Sequence, residues 1–406
     1  MARPAAATRQ IAFINFAHGA THYSQLILAT AVLGMLGAPG TGFGTDYGPL
    51  LALGTAMFVV YGLLTLPMGW LADRVGRHRL MVLFFLGTGA CMAAAGLVSS
   101  PLLLAVALAA MGGFTAIYHP IGTAMLVDAA GERVGRSVGV NGACGNLGVA
   151  AAPILTALLV QAAGWRAAFI VPGLLCLLAG LLYLRQGQAS GGGAKASRPF
   201  PPIPRALVRR AVVVLLGIAA ASGFVFNAFT LLLPKLLEER LAGSAGLLPV
   251  IGALAFAVTL GGAVTQFTVG RMIDRLTLRR VFLPMAVVQM PLMLLLSFAG
   301  GWWVLPIAAG LAASIFGQVT VNETMTARYI APPLRAKLYS IRFFIAFIGA
   351  AAAPPAVGLL HDATGNLGAT LLLLAGFSAV ILLCALAFPD RKEELQPELW
   401  ASVPAE

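Results

Sequence analysis

Histidines placed in apolar segments are the first candidates for chemistry in this sequence. His18 and His22 lie in the segment NFAHGATHY, and their four-residue spacing places both imidazoles on one face of a helix. His119 lies in another apolar segment, IYHPIGTAM. An imidazole can exchange a proton near neutral pH, hydrogen-bond a polar ligand or bind a transition-metal ion. Which of these it does depends on whether the two segments meet in the folded chain.

One carboxylate joins the histidines as a candidate proton carrier. Glu323 is the only acidic residue well inside an apolar segment of the sequence. Because a charged side chain at the bilayer centre costs at least about 2.5 kcal/mol on insertion scales, we expect this group to be neutral when enclosed and ionised when water enters. We predict Glu323 as the principal proton carrier, with the histidines tuning or sharing its role.

The candidate ligand-binding residues are polar side chains in apolar segments: Asn15, His18, His22, Tyr118, His119, Thr123, Ser222, Asn227, Gln318 and Asn322.

The composition decides what kind of structure must position these residues. Of the 406 residues, 59% are hydrophobic and only 10% are charged, and the mean hydropathy is +0.91. A soluble domain has about 25% charged residues, so this chain is predicted to be a membrane protein. Its apolar runs are long and continuous, which disfavours a β-barrel, whose strands alternate over about ten residues. The four cysteines lie in apolar runs without metal-type spacing and are predicted to be packing residues.

The apolar runs predict an all-α protein with twelve transmembrane helices. The predicted spans are 10–36, 48–72, 79–99, 101–128, 137–161, 165–185, 208–237, 245–272, 279–299, 302–329, 336–361 and 366–388. The stretch rich in Gly, Ser and Pro between the first six and the last six spans is predicted to be a flexible linker. We therefore predict an N-terminal six-helix bundle over 1–185, a cytoplasmic linker over 186–207, a C-terminal bundle over 208–388 and a cytoplasmic tail over 389–406.

The positive charges predict the orientation of the chain in the membrane. The formal net charge is +12, and the basic residues lie mainly between the apolar spans. If both termini are cytoplasmic, all but three of the 26 Lys and Arg residues fall on the cytoplasmic side, the exceptions being Arg166, Lys235 and Arg240. This distribution follows the positive-inside rule and requires no nucleic-acid partner. It predicts a multi-pass protein of a bacterial inner membrane, with both termini in the cytoplasm.

An internal repeat divides the sequence into two related halves. The segment GWLADR, Gly69–Arg74, recurs as GRMIDR, Gly270–Arg275, and GVAAAP, Gly148–Pro153, recurs as GAAAAP, Gly349–Pro354. Both pairs are separated by the same offset of 201 residues. A common offset at separate anchors indicates a duplicated six-helix unit, an arrangement found in many secondary transporters.

The loop after the second span carries the most specific motif of the sequence. In GWLADRVGRHR, Gly69 is expected to permit close approach of a neighbouring helix, Asp73 to face a helix N-terminus, and the arginines to anchor the loop in the cytoplasm. With this motif the chain resembles the major facilitator superfamily, whose signature loop between helices two and three reads G-x-x-x-D-R-x-G-R-x-R. The resemblance covers the twelve spans, the linker, the second-half copy of the loop and the GWR segment at Gly164–Arg166.

The resemblance implies two pseudo-symmetric six-helix bundles around a cavity lined by helices one, four, seven and ten. It also implies a latch, in which the residue matching Asp73 and its arginine neighbours hold the cytoplasmic side shut by contact with helix eleven, where Arg342 is a plausible partner. The residues expected to take part in gating are Gly69, Asp73, Arg74, Arg77, Gly270, Asp274, Arg275 and Arg342.

Two shorter segments add weaker resemblances. In span five, Gly142, Gly145 and Gly148 precede Pro153, a spacing of small residues that lets helices pack closely. It is similar to the family's antiporter motif in helix five but lacks the Gly-Pro dipeptide of that motif. The YHPIGTA segment of span four, with the histidines of span one, resembles the fosmidomycin-resistance type of bacterial exporter, a match of few residues that names no substrate.

These observations together predict a secondary active transporter. We expect proton-coupled movement of a small organic solute by alternating access, with export slightly favoured over import, in a monomer without a cofactor. The sequence contains no G-x-x-x-x-G-K-[ST] loop that would bind ATP and drive transport, and no catalytic group of residues indicates an enzyme. Two alternatives stay open: a copper or zinc transporter that uses the membrane histidines, and a non-transporting receptor or assembly factor on the same fold.

Overall fold

The computed structural model describes residues 3–36, 42–130, 134–186, 203–241 and 247–395. Most of the predicted linker, 187–202, and the end of the tail, 396–406, lie outside these residues. The described chain is built from helices: α1 Arg3–Leu36, α2 Tyr47–Ala52, α3 Gly54–Thr65, α4 Met68–Val75, α5 Arg77–Ala95, α6 Pro101–Thr115, α7 Tyr118–Ala130, α8 Val134–Leu184, α9 Arg205–Arg240, α10 Leu248–Ile273, α11 Leu278–Phe298, α12 Val304–Tyr329, α13 Pro332–Thr364 and α14 Gly368–Ala387, with short 3₁₀ helices at Gly301–Trp303 and Lys392–Leu395.

The helices are long and apolar enough for a membrane protein. Within the described residues, ten helical stretches have the length and composition to cross a membrane. One of them, Arg136–Leu184, holds two predicted spans, because Ala163 and Gly164 have non-helical φ/ψ values of −149°/18° and 80°/169°. The 34-residue helix α1 corresponds to the first predicted span. The all-α membrane fold predicted from the sequence is confirmed.

The bend in α8 explains the GWR segment. Gly164 has a φ of 80°, a left-handed conformation that glycine adopts without a steric penalty. Directly after it, the Arg166 guanidinium donates hydrogen bonds from Nη1 to the backbone oxygens of Gly96, at 3.1 Å, and Val98, at 2.7 Å. Arg166 therefore satisfies backbone carbonyls beyond the end of α5, which have no partner inside that helix.

The fourth predicted span is interrupted just before its polar residues. The helix α6 ends at Thr115, and α7 begins at Tyr118. Pro120 lies in the first turn of α7, where a missing backbone N–H is tolerated, whereas a continuous helix would lose a hydrogen bond there. The interruption places Tyr118 and His119 at the beginning of a new helix.

The chain forms two compact units. Unit 1 comprises Met1–Gly193, Thr230–Ala257 and Ala351–Gly365, and unit 2 comprises Ala194–Phe229, Val258–Ala350 and Asn366–Glu406. The core of unit 1 includes large aromatic side chains that are fully buried, among them Phe84, Phe85, Tyr118 and Tyr183. Unit 1 thus holds the first half of the sequence together with short parts of α9, α10 and α13.

Two glycines hold α8 against α1 in unit 1. A Cβ atom on Gly148 would lie 2.2 Å from the backbone oxygen of Gly19, and one on Gly145 would lie 2.6 Å from the His18 ring. A Cβ on Gly142 would meet no atom within 4 Å. The expected close packing in span five is therefore present at the second and third glycines of the motif and absent at the first.

The duplicated segment packs in the same way in unit 2. Gly349, the counterpart of Gly148 at the 201-residue offset, lies on α13, and a Cβ there would be 2.7 Å from the backbone nitrogen of Phe224 on α9. A Cβ on Gly223 would be 2.7 Å from the Cα atom of Ala346. The sequence repeat therefore corresponds to a repeated helix contact, α1 with α8 and α9 with α13.

Candidate functional site

The structure brings the three membrane histidines together in unit 1. One nitrogen of each of His18, His22 and His119 lies within 4.8 Å of the others. The ring centroids are 5.0 Å apart for His18 and His22, 5.3 Å for His18 and His119, and 5.4 Å for His22 and His119. The four-residue spacing on α1 and the helix start at α7 produce this arrangement. We call these three residues the histidine cluster.

Hydrogen bonds indicate how the first two imidazoles are protonated. His18 Nδ1 lies 2.8 Å from the backbone oxygen of Asn141, so this nitrogen must carry the hydrogen and donate it. In a neutral ring, Nε2 of His18 then has a free lone pair. It lies 3.2 Å from Nε2 of His22, which acts as the donor when both rings are neutral. The pair therefore shares one hydrogen between two nitrogens.

Asn141 supports the cluster and was not predicted from the sequence. Its Nδ2 donates to Asn15 Oδ1 at 2.9 Å, and its Oδ1 accepts from the Tyr118 hydroxyl at 3.0 Å. The Tyr118 ring also stacks on His18, with centroids 4.9 Å apart. Asn141 is 5% exposed and directly precedes the glycine motif of span five. The sequence signal for Asn141 is a polar residue inside an apolar span, whereas the prediction for span five rested on its glycines alone.

The cluster is half-buried, and the hydrogen-bond partners of its first imidazole are neutral. The three histidines are each partly exposed, so water can reach them. Asn15, Tyr118 and Asn141 carry no formal charge. Thr123, predicted with this group, lies one turn beyond His119 on α7 and is exposed.

Unit 2 contains a second buried polar network, made of amides and hydroxyls. Gln318 donates from Nε2 to Gln289 Oε1 at 2.5 Å, and Ser314 donates to the same oxygen at 3.2 Å. Gln289 donates from Nε2 to the Ser378 hydroxyl at 3.0 Å. Gln318 was a predicted site residue, whereas Gln289 and Ser378 were not, because α11 and α14 are not helices expected to line the cavity.

The carboxylate of Glu323 does not stand alone. Arg342 on α13 places Nη2 3.4 Å from Glu323 Oε1, and its Nη1 donates to the Thr326 hydroxyl at 2.5 Å. The side chain of Glu323 is 48% exposed and that of Arg342 is 11% exposed. The expectation of an isolated carboxylate in an apolar span was wrong, because a counter-charge from the next helix cannot be seen in the local sequence.

The remaining polar residues predicted in the second half have different surroundings. Asn227 donates to the backbone oxygen of Gly223 within its own helix, at 2.8 Å. Among the described residues, Ser222 Oγ and Asn322 Oδ1 are buried polar atoms without a hydrogen-bond partner. Leaving such an atom unsatisfied costs about 1–3 kcal/mol, so each is a position where water or a ligand can be bound favourably.

The predicted gating loop is exposed in unit 1. Gly69 would accept a Cβ with no atom within 4 Å, so the expected close helix approach at this glycine is not present. The Arg74 guanidinium lies 3.6 Å from the centroid of the Trp70 ring, and Arg77 Nη1 pairs with Asp128 at 2.6 Å. Asp73 is exposed.

The copy of the loop in unit 2 is similar in character. Gly270 would also accept a Cβ without contact, and Asp274 and Arg275 are exposed. Arg328 donates from Nη2 to the backbone oxygen of Ile273 at 3.3 Å, which satisfies a carbonyl at the end of α10. In both copies the aspartate and the following arginine are therefore accessible at a helix end.

Comparisons with known proteins place the chain in a family. The sequence profile of the Major Facilitator Superfamily matches residues 11–260 and 247–404. Among curated proteins, a search by sequence finds no match.

A solved structure has the same fold. The crystal structure of a bacterial homolog to the human lysosomal transporter Spinster, in an inward-facing and unoccupied conformation, superposes with a TM-score of 0.74. The match covers 94% of this chain and 98% of that chain at 14% sequence identity, a level that establishes a shared fold. The chain belongs to the Major Facilitator Superfamily, as the loop motif indicated, and its general function is the transport of a solute across a membrane.

Proposed function

We propose that this protein is a proton-coupled secondary transporter that moves a small organic solute by alternating access, with the histidine cluster as its main proton site. The observation that carries the proposal is the meeting of three imidazoles, one nitrogen of each within 4.8 Å of the others, in unit 1. Glu323, the principal carrier expected from the sequence, takes a secondary place because it is already paired with Arg342.

Coulomb repulsion limits how many protons the cluster accepts. Two unit charges 4 Å apart repel by about 4 kcal/mol at an effective dielectric constant of about 20. The imidazoles of the cluster lie at comparable separations, so an excess proton on one of them opposes protonation of the others. The cluster therefore acts as one site for one excess proton, which is the unit needed for coupled transport.

Proton binding also changes the geometry of the cluster. In the neutral state the Nε2 atoms of His18 and His22 share one hydrogen across 3.2 Å. A further proton on His18 Nε2 would place two N–H groups facing each other, because its Nδ1 is already committed to Asn141. Either the rings then separate or the hydrogen of His22 moves from Nε2 to Nδ1, so protonation changes the contacts that His18 and His22 make. We propose this change as the link between proton binding and the contact of α1 with α8.

The chemistry of the candidate residues supports a polar solute. The neutral cluster can hydrogen-bond a polar solute through the lone pair that a proton would occupy, so the solute and the proton exclude each other there. Separately, within unit 2, the unsatisfied oxygens of Ser222 and Asn322 are hydrogen-bonding positions of their own. We propose that the solute is a small polar organic molecule and that it exchanges with the proton, which corresponds to export driven by proton entry.

We further propose that the Glu323–Arg342 pair serves the gate. The pair ties α12 to α13 through a contact of 3.4 Å and is partly accessible to water. Exposed ion pairs contribute about 0–1 kcal/mol, so this pair can break and re-form during a transport cycle at little cost. The exposed Asp73 and Arg74 of the loop in unit 1 are proposed to act in gating as well.

The charges of the sequence support a proposal for the location of the chain. We propose that it is a monomer in a bacterial inner membrane, with both termini in the cytoplasm. The support is the sorting of basic residues, of which only Arg166, Lys235 and Arg240 fall on the other side.

The proposal is tested by solute-dependent proton flux. Purified protein is reconstituted into proteoliposomes that contain a fluorescent pH indicator, and candidate solutes are added with and without a pH gradient. We expect proton flux that requires both the solute and the histidine cluster, so His119→Ala should remove it while His78→Ala, a histidine on α5 that stacks on Tyr183, should leave it intact. Solute uptake without proton movement would contradict the coupling.

The same vesicles separate the other candidate functions. A receptor or assembly factor would give no solute flux under any gradient. The cluster of three imidazoles also favours a second candidate, in which a transition-metal ion is the transported species. Accumulation of zinc or copper in the vesicles, in place of every organic solute, would establish that function.

A further inference from the structure

We propose that His18, His22 and His119 bind one transition-metal ion of the zinc class, and that a bound ion inhibits transport by occupying the cluster. The cluster supplies three neutral nitrogen ligands from two helices, a donor set that suits zinc, copper and nickel. Metal binding as such does not depend on the proposed function. The inhibition of transport rests on it, because it concerns the same lone pairs.

The spacing of the first two ligands matches a metal site. Zinc binds imidazole nitrogens at about 2.0–2.1 Å in a tetrahedral arrangement, which places two ligand nitrogens roughly 3.3 Å apart. The Nε2 atoms of His18 and His22 are 3.2 Å apart. Two histidines separated by four residues on one helix face are also a recurrent zinc-binding pair. The α1 pair therefore has the separation of a bidentate site, and His22 becomes a ligand once its Nε2 hydrogen moves to Nδ1.

The third ligand comes from the neighbouring helix. His119 at the start of α7 has a ligand nitrogen within 4.8 Å of those of the α1 pair. A side-chain rotation that shortens this separation by at most about 1.5 Å would bring it to the distance expected in a tetrahedral site. The cluster is partly exposed, so water or a solute group can occupy a fourth position, as in zinc sites with three protein ligands.

The surroundings orient His18 as a metal ligand. Metal-binding histidines usually donate their second ring N–H to a backbone carbonyl, a carboxylate or water, which fixes the tautomer and the direction of the free lone pair. His18 makes this contact to the Asn141 backbone oxygen at 2.8 Å. Asn141 is itself held through its side chain by Asn15 and Tyr118. The lone pair of His18 Nε2 is thus directed toward His22 before any ion arrives.

Inhibition follows from the same geometry. A metal ion between His18 and His22 takes the place of the hydrogen that their Nε2 atoms share. A bound ion would therefore block the proton site and inhibit proton-coupled transport.

The binding test uses the full-length protein in detergent, with any affinity tag removed. Isothermal titration with zinc chloride at pH 7.5 should give one ion per chain, and substitution of cobalt should give the visible absorption of a tetrahedral site. His18→Ala and His119→Ala should each weaken zinc binding about 10-fold or more, and Asn141→Ala should weaken it about 10-fold through the orientation of His18. His78→Ala is the matched control and should bind zinc like the wild type.

Two results would overturn the site: wild-type protein that binds no zinc, or binding that His18→Ala and His119→Ala leave unchanged. Helical circular dichroism of each variant shows whether it is folded, and His18→Gln serves as a second variant if the alanine substitution does not fold.

The two proposals fail separately. If zinc binds and no solute-dependent proton flux exists, the metal site stands and the proposed function is wrong. If proton-coupled transport is observed and zinc neither binds nor inhibits it, the proposed function stands and the metal site is wrong. Inhibition of wild-type flux by micromolar zinc, reversed by a chelator and weaker in His119→Gln if that variant retains flux, would support both.

Discussion

The histidine cluster of unit 1 and the Glu323–Arg342 pair of unit 2 are two titratable regions with opposite surroundings. His18 donates to a neutral backbone carbonyl, and its other nitrogen shares a hydrogen with His22. Glu323 lies 3.4 Å from a guanidinium and is 48% exposed. Glu323 therefore has a charged partner on the neighbouring helix, whereas the Asn141 carbonyl that accepts from His18 is neutral. The comparison teaches that the neighbours of a titratable residue decide whether it acts as a switch.

The largest effect is expected from the cluster itself. His18→Ala and His119→Ala should reduce solute-dependent proton flux to the level of empty vesicles, because each removes an imidazole that no neighbouring group replaces. His78→Ala should retain wild-type flux, since this histidine stacks on Tyr183 away from the cluster. Flux is measured in proteoliposomes with an internal pH indicator. Wild-type flux in both cluster variants would show that the proton site lies outside the cluster and would contradict the contrast drawn with Glu323.

A smaller effect is expected when the support of the cluster is changed and its chemistry is kept. A Cβ on Gly148 would lie 2.2 Å from the Gly19 backbone oxygen, so Gly148→Val should force α8 away from α1. Overpacking of this kind costs about 1–3 kcal/mol, which should lower the Tm by several degrees and slow transport. Gly142→Ala is the matched control because its Cβ meets no atom within 4 Å. Equal thermal stability of the two variants would contradict the described helix contact.

The Glu323–Arg342 pair should have a smaller and different effect. Loss of a partly exposed ion pair costs about 1 kcal/mol, so Glu323→Gln should slow transport about five-fold. The pH dependence of the remaining rate should stay that of the wild type, whereas any residual rate in His22→Gln should have a changed pH dependence. Rates are measured from pH 5.5 to 8.

The double variant Glu323→Gln/Arg342→Gln provides the control for that prediction. It should recover part of the lost rate, because it removes the guanidinium that the single variant leaves without its carboxylate. A Glu323→Gln protein that binds solute yet cannot accumulate it at any pH would restore this carboxylate as the principal proton carrier.

The smallest effect is expected at the exposed loop. Asp73→Asn removes one surface charge and no buried contact, so the folded protein should be retained at wild-type yield. We expect transport to slow about three-fold, since exposed charge interactions contribute about 0–1 kcal/mol. Comparing uptake at low and high ionic strength checks the electrostatic origin. A wild-type rate in this variant would exclude Asp73 from gating.

Much of the fold could be predicted because membrane insertion depends on local composition. All twelve predicted spans are occupied by described helices, although spans 48–72 and 101–128 are each divided among shorter helices and spans 137–161 and 165–185 both lie in α8. The sequence offset between Gly148 and Gly349 corresponds to a repeated helix contact. The site could be predicted only in part. His18, His22 and His119 were identified as candidates by residue type and by their place in apolar segments, whereas Asn141 was missed because it contacts His18, which lies 123 residues away in the sequence.

The sequence by itself determined the membrane character, the all-α fold and the family, and it predicted the duplication, because hydropathy, loop charge and motif spacing are properties of neighbouring residues. Only the tertiary structure decided which polar groups meet. Arg342 beside Glu323, and Gln289 between Gln318 and Ser378, are contacts between different helices. Such contacts depend on the rotation and the relative height of packed helices, and an apolar helix has nearly the same local pattern at every rotation. The composition of the proposed proton site therefore depends on helix packing.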